Sequence, residues 1–148
     1  MQVAIDEARE GIFNGDGGPF GSVIVKDGKI VGQGHNMVLA NNDSTCHGEI
    51  AAIRGTEQAM GTYDLSGCEL YTTAEPCPMC LGGILWANIK KVHYGCNRID
   101  TDSLGFRDEV FYEYLEGKTD LLDMKEDSRK ECLTLFDFYK NLENKTVY

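Results

Sequence analysis

His47-Gly48-Glu49 and Pro76-Cys77-Pro78-Met79-Cys80 are two short motifs about thirty residues apart whose side chains have meaning only if the fold brings them together. One imidazole and two thiols make a three-ligand set for a zinc ion. A structural zinc site closes its tetrahedron with four protein ligands, whereas a catalytic one keeps the fourth position for water. Glu49, two residues from His47, is a carboxylate of the kind that moves protons around such a water. The ligand assignment is therefore zinc, one ion per subunit, on His47, Cys77 and Cys80. Two thiolates and one imidazole favour zinc over harder cations.

Both motifs are expected at helix starts. Free backbone N–H groups and the positive end of the helix dipole stabilise thiolates there and ready them for metal. On an ideal helix, His47 and Glu49 would point about 200° apart. His47 therefore has to sit at or before the first turn. Cys46, beside His47, is the one residue that could close the site as a Cys₃His set, and that arrangement would make the centre structural.

Periodicity supplies the frame. Phe20 to His35 reads as a hairpin, with β-branched Val23, Ile24 and Val25, a tight Asp27-Gly28 turn, and Ile30-Val31 resuming the strand. A helix is predicted from near His47 to before Gly61, a strand over Glu69 to Thr73, a helix from Pro76 to about Ile89, and a strand over Lys91 to Gly95. Strand, helix, strand, helix, strand in succession implies crossover connections and a partly parallel sheet. The fold class is α/β, with three layers and helices packed on the sheet. Val3 to Ile12 is a further predicted helix. Phe106 to Leu115 and Arg129 to Leu142 repeat apolar residues at helical spacing. Asn14 to Pro19 is the one markedly loop-like stretch.

With 148 residues and 42% apolar composition, the expectation is a single domain over residues 1–148 with a real core. Asp6, Glu7 and Glu10 make the first residues unlike a signal or transit peptide, and no apolar run approaches a membrane span. The reading is a cytoplasmic protein without a membrane partner, with its cysteines reduced. Cys68, Cys96 and Cys132 are expected as small buried residues. The formal charge is −10, from 24 acidic against 14 basic residues. Lys90-Lys91 and Arg129-Lys130 are the only compact basic clusters, so a small neutral substrate is favoured over nucleic acid.

His-x-Glu with Pro-Cys-x-x-Cys is the signature of the zinc deaminases. The chain resembles the cytidine deaminase superfamily, and within it the small bacterial guanine deaminases. The resemblance runs nearly end to end, through Gly17-Gly18-Pro19-Phe20-Gly21, Glu75 to Gly82, the segment around Trp86, and Asp100 to Asp108. It implies an α/β/α fold on a mixed, roughly five-stranded sheet, and hydrolysis of guanine to xanthine and ammonia. It also implies a homodimer in which the C-terminal segment, about residues 106–148, is helical and packs on or exchanges with the partner.

Carried onto this sequence, the family pattern makes Glu49 the proton shuttle and Asp108 a second catalytic acid at the substrate edge. Asn36 becomes the base-reading amide, Phe20 and Trp86 aromatics against the base, and Tyr148 a tail residue capping the site. A bland reading stands beside each: Asn36 as a turn residue, Asp108 as a helix-start carboxylate, Phe20 and Trp86 as core, and Tyr148 as a free terminus. His35 and His93 read as surface or core residues. Gly48, where guanine deaminases commonly have Ala, and Gly34-His35-Asn36 also resemble the fungal-type cytosine deaminases. Cytosine or a nucleoside is thus an alternative substrate, and a non-catalytic zinc-stabilised interaction module is an alternative of another class. The transfer RNA adenosine deaminases share the Pro-Cys motif, but the acidic charge argues against so large a polyanion.

Overall fold

The computed structural model describes all residues 1–148. Helix α1 (Gln2–Asn14) leads into the hairpin β1 (Gly21–Lys26) and β2 (Lys29–His35). Asp27 and Gly28 turn the hairpin at φ 50° and 74°, the left-handed pair that matches the twist of the flanking strands. Then follow α2 (Val38–Asn41), α3 (Gly48–Met60), β3 (Cys68–Ala74), α4 (Pro78–Trp86) and β4 (Lys91–Cys96). Helices α5 (Arg98–Ser103), α6 (Asp108–Leu115) and α7 (Arg129–Lys140) complete the chain.

The sheet order is β2-β1-β3-β4. Strand β1 is antiparallel to both β2 and β3, and β3 is parallel to β4 across the α4 crossover. The two faces are covered differently. A side chain at Gly21 would strike α1, at 2.1 Å from the Ala4 carbonyl, so α1 lies flush on that face. On the other face, a Cβ at Gly32 would come within 1.8 Å of Thr56 Oγ1, and one at Gly34 within 2.8 Å of the Ala52 nitrogen. Glycine at these two positions lets α3 lie directly on the hairpin. Ile24, Ala52, Ile53, Leu65, Leu70, Ile84 and Ile89 fill the space between the sheet and α3 and α4.

The three-layer α/β/α expectation therefore holds. The sheet, however, has four strands instead of five. After β4 the chain enters a helix at once, because Asn97 and Asp100 form a reciprocal capping box at the start of α5. Pro78, not Pro76, occupies the first helical position of α4, which ends at Trp86, short of Ile89. Of the cysteines expected in the core, only Cys68 is buried. Cys96 and Cys132 are exposed, on the outer strand β4 and on α7.

The C-terminal third is different in kind. Neither α6 nor α7 contains a buried residue. Phe136 and Phe138 are each 66% exposed, and Tyr148 is 77% exposed. No helix is long and apolar enough to cross a membrane.

Candidate metal centre and active site

Two helix starts meet at one point. His47 is the N-cap of α3 and Cys77 the N-cap of α4, both with extended backbone (ψ 160° and 166°). The carbonyl of each accepts the first helical hydrogen bond, from Ala51 and Leu81, at 2.9 Å in both cases. Because His47 stands outside the helix, its side chain is free of the helical period and can share a site with Glu49, one step inside it.

His47 Nδ1 lies 3.6 Å from Cys77 Sγ and 3.6 Å from Cys80 Sγ. All three ligand atoms fall within 4.8 Å of one another. With Zn–S near 2.3 Å and Zn–N near 2.1 Å, ligands at a tetrahedral angle stand about 3.6 Å apart, so this donor set fits zinc. Cys46 does not join it. Its sulfur, although buried, accepts from Asn41 Nδ2 at 3.4 Å. The protein thus offers three ligands and leaves the fourth position to a water or substrate, as a catalytic centre requires.

The electrostatics agree. Cys77 is lowered to about 4, chiefly because the Cys80 thiol donates to it and secondarily because His47 does. Cys80 is pushed up, since it donates to Cys77 and is itself buried. His47 is raised by its hydrogen bond with Cys77. In effect, a thiolate is already prepared at the helix start. Glu49 is 5% exposed, and burial pushes its carboxyl above the usual range. Its Oε2 lies 3.4 Å from Cys80 Sγ, which places the carboxyl group against the ligand set without making it a ligand.

Above this floor opens a cleft of about 450 Å³, within the usual size of small-molecule sites. Phe20, Asn36, His47, Glu49, Cys77 and Asp108 all line it. Asn36 is buried, and its Oδ1 accepts from the backbone N–H of Gly18 and of Val38, each at 3.3 Å. With the oxygen occupied by two backbone donors, Nδ2 is the group left to face the cleft. Asp108 is the first residue of α6, so it is a helix-start carboxylate and a lining residue at once. Burial, and then the Cys77 thiolate, raise its carboxyl. Phe20 meets Phe106 edge to face at 4.8 Å between centroids.

Trp86 and Tyr148 are not brought to the cleft within one chain. Trp86 is 68% exposed at the far end of α4, and the two rings lie near each other at 6.0 Å. His35 lies outside the metal-ligand set. Its ring is held between Glu7 (Nδ1 to Oε2, 3.2 Å) and Asp16 (Nε2 to Oδ2, 3.0 Å). His93 is exposed and stacks on Tyr71 at 4.3 Å.

Val38, Leu39, Ser44, Phe106 and Arg107 also line the cleft, and the sequence motifs do not mark them as site residues. Phe106 carries a signal, as part of the Asp100 to Asp108 segment of the family resemblance. The others are loop and short-helix residues with none.

Residues 1–96 match the cytidine and deoxycytidylate deaminase zinc-binding region. The chain belongs to this zinc-dependent deaminase family. Along its whole length it is 42% identical to a guanine deaminase of Bacillus subtilis, covering 96% of that protein. The crystal structure of the Bacillus subtilis guanine deaminase superposes with a TM-score of 0.93, covering 99% of this chain and 95% of that one at 41% identity. A tRNA-specific adenosine deaminase of Buchnera aphidicola is 34% identical over 95% of this chain and 92% of its own length. Family membership makes zinc the metal for the His47, Cys77 and Cys80 set.

Proposed function

We propose that the protein hydrolyses guanine to xanthine and ammonia. The observation that carries this reading is the cleft floor, where three ligand atoms and a buried, non-ligating Glu49 converge with no fourth protein ligand. Full-length similarity to a guanine deaminase supports the choice of substrate.

Zinc, when bound, supplies Lewis acidity that makes a water nucleophilic near neutral pH. The protein residues do the rest. Glu49 takes a proton from the attacking water and delivers it to a ring nitrogen, so that the amine-bearing carbon accepts oxygen. The carbon–nitrogen bond then breaks and the amine departs as ammonia. Asp108 accepts hydrogen bonds from the N–H groups on the edge under attack and helps to protonate the leaving amine. Asn36 presents its Nδ2 donor to a ring acceptor, and Phe20 packs its ring against the base.

The active form on this reading is a homodimer with exchanged or docked C-terminal segments. Three features support it: α7 with its apolar residues in solvent, an outer strand β4 paired with β3 on one edge only, and a tail tyrosine away from its own cleft. Trp86 and Tyr148 then act across the dimer. The substrate is a small base and not a nucleic acid, in keeping with the charge of −10. The compartment is the cytoplasm, where the ligand thiols stay reduced.

The test is ammonia release by zinc-loaded protein from guanine, guanosine, cytosine, cytidine, adenine and transfer RNA, with Glu49→Gln as the blank. Turnover of guanine alone is expected. Turnover of cytosine, a nucleoside or transfer RNA would keep the chemistry and reassign the substrate. Silence across the panel would favour a non-catalytic zinc module.

A further inference from the structure

Helix α6 brings Asp108 to the cleft, yet it is poorly anchored. None of its residues is buried, and it follows the turn at Gly105 (φ 89°). A carboxylate that handles protons at a reacting atom has to be held to a fraction of an ångström, which makes the anchor of this helix a functional question.

One residue answers it. Tyr112 stands one helical turn after Asp108, on the same face of α6. Its hydroxyl donates to the backbone carbonyl of Pro76 at 2.6 Å, and Pro76 immediately precedes the metal ligand Cys77. Arg98 braces this contact from the side. Its guanidinium lies over the Tyr112 ring at 4.4 Å, its Nε is 3.4 Å from Glu75, and its Nη1 is 3.6 Å from Glu109. The backbone N–H of Arg98 also donates to Glu75 at 3.3 Å. The loop carrying the first thiolate, the start of α5 and the face of α6 are thus tied at a single point.

We infer that Tyr112 is a positioning residue for the deamination, latching α6 to the Pro76-Cys77 loop so that Asp108 is held at a fixed offset from the metal ligands. The inference rests on the role proposed for Asp108. Burial pushes the Tyr112 hydroxyl up to about 12, so it remains a donor throughout the working pH range. Since Tyr112 does not line the cleft and its hydroxyl bonds to a backbone carbonyl, it acts only through the helix it holds.

Tyr112→Phe removes one oxygen and leaves the ring and the Arg98 contact in place. A net hydrogen bond of about 1.4 kcal/mol corresponds to about tenfold in an equilibrium or a rate. Amide hydrogen exchange over residues 108–115 is expected to speed up about tenfold in the variant, while exchange in α3 and the zinc content stay at parent values. In guanine turnover, kcat falls about tenfold and KM changes little. In an Asp108→Asn background the same substitution has no further effect on kcat.

Unchanged exchange over residues 108–115 would overturn the latch. An equal tenfold loss in both backgrounds would overturn the link to Asp108. If the parent protein releases no ammonia from guanine, the substrate reading fails by itself, and the exchange measurement still decides whether Tyr112 holds α6.

Discussion

Gly17→Ala tests the part of the site in which packing, not chemistry, sets the geometry. A Cβ added at Gly17 would lie 2.0 Å from Asn36 Oδ1 and 2.7 Å from the Asn36 backbone oxygen. Nonbonded heavy atoms need roughly 3.5 Å, so the amide has to retreat by more than roughly 1 Å. That movement breaks the two hydrogen bonds that Asn36 Oδ1 receives from Gly18 and Val38. At about 1 kcal/mol each, with some further strain at the end of β2, the expected loss of stability is about 2–3 kcal/mol. For a chain of this size that is a fall in Tm of about 4–12 °C.

The functional cost follows from the same displacement. With Oδ1 no longer held, Nδ2 is no longer aimed at the base, and the loss of one oriented hydrogen bond raises KM for guanine about tenfold. Thermal melting and steady-state ammonia release measure the two effects on one sample. Gly55→Ala is the control, because a Cβ there meets nothing within 4 Å in the middle of α3. It should raise stability by about 0.5–1 kcal/mol and leave KM alone. If Gly17→Ala melts within a degree of the parent and keeps its KM, the close approach of Gly17 to Asn36 does not set the position of the amide and the reasoning is wrong.

Glu49→Gln should lower kcat by about 10²–10⁴ while zinc content, read by atomic absorption, stays at one per chain, since Glu49 is not a ligand. Chelation should abolish turnover and lower Tm by about 10 °C relative to protein with zinc at about a thousandfold over Kd, with both restored by zinc alone. Leu70→Ala, at a fully buried core position, should cost about 2–5 kcal/mol in a denaturant titration without changing zinc stoichiometry. Light scattering at micromolar concentration should give twice the chain mass, and a monomer would remove the proposed exchange of C-terminal segments.

The sequence by itself determined the elements whose signals are local. The β1–β2 hairpin is written in Asp27-Gly28 between β-branched runs, and α3 in its helical spacing ended by Gly61. The ligand set and its shuttle are equally local, because His47, Glu49, Cys77 and Cys80 lie in two short motifs whose residue types are set by coordination chemistry. What the tertiary structure alone decided depends on distances between parts of the chain that share no motif. It turned Cys46 toward Asn41, which left the metal site with three ligands. It fixed which end of the Asn36 amide faces the cleft, through backbone donors at positions 18 and 38. It kept Trp86 and Tyr148 away from the cleft of their own chain. Four strands form where family resemblance implied five, because the helix cap at Asn97 takes the chain out of the sheet after β4. The contact between Tyr112 and Pro76 joins residues 36 positions apart through a hydroxyl and a carbonyl. Neither residue type signals such a pairing in a sequence, and only the packing of α6 against the metal loop creates it.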